Sequence, residues 1–284
     1  MSTIFHRRLL TALLAALSLA AFPAISHAEH SWGSYHWARK SNPFTLKLGD
    51  NLSTTWDPYL ATASSDWTAS SVLNTTIVAG STTGRRCRAT AGRVEVCNST
   101  YGNNGWLGIA SIWVSNSHIT QGTAKMNDTY FNTAYYNTPA WRRLVMCQEI
   151  AHTFGLDHTD ENFSNTNMGT CMDYTSDPDG PPSNEHPYLH DFAQLETIYA
   201  HLDSSTTVGQ TVQSAAGKRK MPPAMADIEI SGRGQWGKRI HSSHGGWKET
   251  YELDFGGGHK IITHVIWATD EDDDADHDHD HGRR

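Results

Sequence analysis

The sequence predicts an α+β domain, and three observations carry that expectation. Short strand-like segments, rich in Thr, Val and Ile and closed by Gly or Asn, fill the first half of the chain. A single strong helix start stands at Thr138-Pro139, with apolar residues at helical spacing from Trp141 to Phe154. A long irregular loop follows, and a second apolar stripe begins near Asp191. Strands first, one central helix, a loop and a closing helix form an α+β order.

The N-terminus is expected to lie outside the fold. His6, Arg7 and Arg8 precede an apolar run from Leu9 to Phe22, Pro23 breaks it, and Ser26-His27-Ala28 offers small residues to a signal peptidase. The run is too short to span a bilayer stably, so residues 1–28 read as a cleaved secretory signal and the mature protein as an exported one. The four cysteines, Cys87, Cys97, Cys147 and Cys171, suit an oxidising compartment and two disulfides. Sequence proximity favours Cys87 with Cys97, which leaves Cys147 with Cys171. The formal net charge is −8, but residues 270–281 hold eight acids and no Lys or Arg. The remainder of the chain is balanced, which gives no electrostatic footprint for nucleic acid.

Along the chain, Phe44 to Leu48 alternates apolar and polar residues and ends at Gly49-Asp50, a strand and a turn. Asp57-Pro58 opens a helix marked by Tyr59, Leu60, Ala63 and Trp67. Thr75 to Ala79 reads as a second strand, and the segment between Cys87 and Cys97 as a stapled hairpin. Leu107 to Val114 and His118 to Met126 read as further strands. The helix from Thr138 stops at Gly155, and the closing helix carries Phe192, Leu195, Ile198, Tyr199 and Leu202 on one stripe. Residues 204–224 read as a polar linker. Four short strands separated by glycines (Ile228 to Ile230, Lys238 to Ile240, Thr250 to Phe255, Lys260 to Trp267) suggest a small β appendage over 225–269. Residues 270–284 read as a disordered acidic His/Asp tail.

Chemistry concentrates in the run Gln148-Glu149-Ile150-Ala151-His152-Thr153-Phe154-Gly155-Leu156-Asp157-His158. Positions 148 and 152 lie one helical turn apart and share a face, so both side chains reach toward one metal. Glu149 falls where its carboxylate meets a metal-bound water. Gly155 permits a left-handed turn that returns His158 to the same point. Fourteen residues after His158 stands Met172, followed by Tyr174.

This pattern resembles the metzincin zinc peptidases, whose signature is H-E-x-x-H-x-x-G-x-x-H followed by a methionine turn, and Thr159 after the last His is nearest to the matrixins. The resemblance is strong over 138–174 and fair over about 40–203, and the expected peptidase domain runs over 29–203. It implies a twisted mixed sheet with an active-site helix and a closing helix, and zinc as cofactor. It also implies His152 and His158 as ligands, Glu149 as general base, Met172 beneath the site, and Tyr174 touching the metal or the developing oxyanion. Gln148 stands where the family has its first His. It is expected to ligate weakly, to yield to water or another His (His186 and His190 are the candidates), or to mark an empty site. A Cys147–Cys171 bridge would tie the helix to the methionine turn. The expected function is a secreted, monomeric zinc endopeptidase acting on extracellular protein or peptide, with substrate lying along an edge strand in 106–126. The alternative is an inactive metzincin-like module that binds protein or peptide. His201, His241, His244 and His259 read as surface residues, and His277, His279 and His281 as part of a solvated tail.

Overall fold

The computed structural model describes residues 30–211, 221–226, 228–243 and 248–268. The expected secretory signal, the expected acidic tail and the Lys218-Arg219-Lys220 part of the linker lie outside the described residues. Strands β1 (His36–Trp37), β2 (Phe44–Asn51), β3 (Leu73–Ala79), β4 (Val94–Ser99), β5 (Trp106–Ser115) and β6 (His118–Asn127) occupy the first half, with helix α1 (Asp57–Trp67) between β2 and β3. Helices α2 (Asp128–Phe131), α3 (Pro139–His152), α4 (Leu189–Ile198) and α5 (Pro223–Ala226) follow, and β7 (Lys238–Ser243), β8 (Lys248–Asp254) and β9 (His259–Trp267) close the chain.

One mixed sheet of nine strands runs in the order β3-β2-β4-β6-β5-β9-β8-β7, with β1 beside β6. The first four strands in that order are parallel, and the pairs from β6–β5 to β8–β7 are antiparallel. Residues 225–269 therefore do not form a separate appendage. Their strands extend the main sheet, because β5 is apolar on both faces and needs cover on both. On one face Leu107, Ala110, Ile112 and Val114 meet α3 and the main core. On the other, Trp106, Ile109 and Trp113 pack with Met225, Ile230, Trp236, Tyr251, Ile261 and Val265 in a second core. Residues 228–230 are irregular, so the C-terminal region supplies three strands where four are expected.

The expected hairpin between Cys87 and Cys97 is also absent. Cys87 sits in a turn and β4 pairs in parallel with β2 and β6, while a Cys87–Cys97 disulfide fastens the turn to the strand. Parallel pairing buries β4 centrally, which a local hairpin would not. Part of the linker is packed: the Thr207 and Gly209 amides donate to the Ala38 and Gly92 carbonyls.

Candidate metal centre

Helix α3 begins as its sequence dictates, with the Thr138 hydroxyl accepting the Trp141 amide at 3.2 Å and Pro139 in the first turn. It ends at Gly155, whose amide donates to the His152 carbonyl at 3.1 Å and whose φ is +97°. A Cβ at 155 would fall on the Tyr35 carbonyl oxygen, so only glycine makes this turn without displacement. The turn returns His158 to the helix, and the His152 and His158 ring centroids stand 4.5 Å apart. A Cys147–Cys171 disulfide ties α3 to the loop that carries Met172 and Tyr174, and the Thr159 amide donates to the Met172 carbonyl at 2.7 Å. Glu149, His152, His158, Met172 and Tyr174 are thus all brought to one buried region.

Gln148 is engaged differently from the expectation. Its amide nitrogen donates to the Cys171 carbonyl at 2.7 Å, and its oxygen, the atom that would ligate a metal, accepts Lys248 Nζ at 3.3 Å. His186 pairs with Asp66 at 2.6 Å and His190 stacks on His30, so neither candidate substitute joins the cluster. The third imidazole comes from β9. The ring of His264 stands 4.0 Å from that of His152 and 4.6 Å from that of His158, and each of the three histidines offers a ring nitrogen within 4.8 Å of the others.

The tautomers follow from the neighbours. His152 Nδ1–H donates to the Leu156 carbonyl at 2.8 Å, which leaves the Nε2 lone pair free. His158 Nδ1 lies 3.2 Å from Asp157 Oδ1 and 3.3 Å from the Tyr174 hydroxyl, so its proton also sits on Nδ1. Among the described residues, Nε2 of His152 and His158, both ring nitrogens of His264 and both carboxylate oxygens of Glu149 are buried with no hydrogen-bond partner. Six orphaned polar atoms in one place would cost heavily unless something binds there. Burial pushes the His152 imidazole down to about 3 and holds His158 and His264 well below the ordinary value, so all three are neutral donors. Three neutral imidazoles are a zinc donor set, and the residues present fit that ion. Burial also pushes the Glu149 carboxyl well up and the Lys248 ammonium well down, each opposed by the charge of the other. Gly108 of β5 makes room for this carboxylate, because a Cβ there would stand 2.6 Å from Glu149 Oε1.

Two residues of this centre escaped the sequence reading, and both lie in the C-terminal strands. His264 alternates with Ile262 and Ile266, which face the main core, so a histidine on the inward face of an apolar strand was the available signal. Lys248 gave no comparable signal; its ammonium lies 3.0 Å from the Tyr174 ring centroid. The Tyr174 hydroxyl accepts Ser243 Oγ at 3.3 Å, which links the centre to the end of β7.

The expected substrate edge within 106–126 is also corrected. β5 is flanked by β6 and β9, and β6 by β4 and β5, so neither presents an open edge. The terminal strands of the sheet path are β3 and β7, and β7 is exposed along almost its whole length.

No family model matches the chain. No curated protein matches it. Among solved structures it is similar to high choriolytic enzyme 1, a hatching-enzyme zinc-protease of the medaka fish Oryzias latipes, with a TM-score of 0.34 and 12% identity, covering 59% of this chain and 95% of that one. A likeness of that size transfers no residue roles.

Proposed function

We propose that the chain is an exported zinc-dependent peptidase of metzincin type in which His152, His158 and His264 hold the metal. The observation that supports this reading is the convergence of three neutral imidazoles beside a carboxylate with no hydrogen-bond partner. Zinc bound there would supply Lewis acidity and a lowered pKa for attacking water. Glu149 is the group placed to take a proton on a carboxylate oxygen and return it to the leaving amine; its Oε2 stands 4.0 Å from His264 Nδ1. Tyr174 orients His158 through the 3.3 Å contact at Nδ1, and its hydroxyl is the donor this reading assigns to a developing oxyanion. Gln148 pins the helix to the Cys171 backbone and accepts Lys248, a structural role in this reading. The exposed edge of β7, joined to the centre through Ser243, is the place for an extended peptide to add as a further strand. Two disulfides, Cys87–Cys97 and Cys147–Cys171, fit an oxidising, extracellular setting.

One observation favours a second reading. Glu149, His152 and His264 are at most 1% exposed, and closed zinc sites are structural more often than catalytic. In that reading the centre staples β9 to α3 and the chain is a binding module. Hydrolysis of a quenched peptide library by the zinc-loaded mature chain decides between them. The peptidase reading expects turnover that Glu149→Gln abolishes while zinc content is unchanged. Full zinc occupancy without turnover on any peptide would overturn it in favour of the silent centre.

A further inference from the structure

A second cluster of metal-ligating side chains lies away from the buried centre, where β1, the start of β6 and the segment after α4 meet. His36 and His118 are register partners in the β1–β6 pair, and His201 and Asp203 follow the end of α4. The Asp203 carboxylate is divided between two tasks. Its Oδ2 accepts the Arg39 backbone amide at 3.1 Å and Arg39 NH1 at 3.1 Å. Its Oδ1 faces Nε2 of His118 at 3.1 Å, of His36 at 3.4 Å and of His201 at 3.8 Å. Nε2 of His201 also stands 3.2 Å from Nε2 of His36.

Protons on His201 and His118 satisfy part of this arrangement and leave one opposed contact, between His36 Nε2 and Asp203 Oδ1 at 3.4 Å. His36 Nδ1–H is committed to the Ser34 carbonyl at 2.8 Å, so a neutral His36 turns its Nε2 lone pair toward a carboxylate oxygen. Three imidazole nitrogens converge on one oxygen that offers two lone pairs. A cation among His36, His201 and Asp203 converts that opposed contact into two bonds to the metal. The spacing agrees: zinc bonds of about 2.0–2.1 Å at tetrahedral angles place neighbouring donor atoms about 3.3–3.4 Å apart. The observed separations among His36, His201 and Asp203, 3.2 to 3.8 Å, bracket that edge. Nitrogen and carboxylate donors suit zinc and related divalent transition metals rather than calcium or magnesium. Arg39 holds the carboxylate in orientation through Oδ2 while its NH2 donates to the Tyr199 carbonyl at 2.7 Å. The His201 side chain is 56% exposed, which provides an entry path.

We propose that His36, His201 and Asp203 form a second site for a divalent transition-metal cation of the zinc class, with His118 holding the Asp203 carboxylate from outside the site. The site fastens β1 to the segment after α4. It stands independently of the peptidase reading, since none of its residues belongs to the buried centre.

Zinc per chain, measured by elemental analysis after equilibration of the mature full-length protein with a zinc-buffered solution, tests it. The parent is expected to hold two zinc ions, His152→Ala one, His201→Ala one, and the double variant none. Zinc held by the tail histidines would persist in every variant and is separated in this way. The exposed position of His201 makes its substitution mild, and His118→Gln, which removes the imidazole that orients Asp203 Oδ1, gives a second variant, expected to weaken this site about 10-fold. Cobalt(II) titration of His152→Ala should show tetrahedral absorption bands that His201→Ala removes. Equal zinc content in the parent and His201→Ala, or cobalt bands indifferent to His201 and His118, would overturn the proposal.

Discussion

Replacing His264 by Leu should change the stability of the protein in opposite directions with and without zinc. Without metal, both ring nitrogens of His264 are buried with no hydrogen-bond partner, in a strand position between Ile262 and Ile266. An unsatisfied buried polar group costs about 1–3 kcal/mol, and an apolar residue of similar size removes that cost. In chelator, His264→Leu is therefore expected to be about 1 kcal/mol more stable than the parent, or at worst equal to it. With zinc the order reverses. A ligand that binds only the folded state stabilises by about 2.7 kcal/mol at a hundredfold excess over Kd. The variant, left with two of its three imidazoles, loses most of that gain. Chemical denaturation of both proteins in chelator and in buffered zinc, in a His201→Ala background, measures the crossing. Equal zinc stabilisation in parent and variant would refute the assignment of His264 as a ligand. A large loss of stability in chelator would show that the ring is needed for packing instead.

Three further outcomes follow from the same geometry. Gly155→Ala forces an L residue to φ +97° with its Cβ on the Tyr35 carbonyl oxygen, and thermal melting should show a loss of about 1–3 kcal/mol. Removing the Cys147–Cys171 bridge, which closes a separation of 24 residues, should cost about 3.4 kcal/mol in the chain-entropy model, against about 2.7 for Cys87–Cys97 with its separation of 10. Denaturation of the paired Cys→Ser variants compares the two. Burial would raise the Glu95 carboxyl, but hydrogen bonds from Thr90, Asn51 and Ser81 and the charge of Arg93 hold it below its ordinary 4.5. A depressed carboxylate contributes stability above its unfolded pKa and loses it as pH falls through the folded one. Parent stability should therefore decline below about pH 4.5, and Glu95→Gln should be weaker at neutral pH with a flatter acid profile.

Much of the centre was legible because its residues are close in sequence. Glu149, His152, Gly155 and His158 lie on one helix and its exit turn, where spacing dictates geometry. Met172 and the Cys147–Cys171 bridge follow one loop later. The remainder depended on pairings that no local pattern encodes. The Trp106–Ser115 strand is apolar on both faces, a sign that a second layer covers it. Nothing in the strand says that residues 221–268 are that layer. Once β9 pairs with β5, register alone sets His264 opposite Ala110 and delivers its ring to His152. Gln148 was misleading for the same reason. Read locally it is a weakened ligand, but its partners, Cys171 and Lys248, lie 23 and 100 residues away. The parallel pairing of β4 with β2 and β6 likewise competes with the hairpin that two nearby cysteines suggest.

X-ray absorption at the zinc edge of the His201→Ala protein tests the central claim most directly, since that variant retains only the buried centre. The account predicts three imidazole nitrogens in the zinc shell at about 2.0–2.1 Å, falling to two when His264→Leu is added and unchanged by Gln148→Leu. A shell of two imidazoles and one amide oxygen, indifferent to His264 and lost with Gln148, would contradict it.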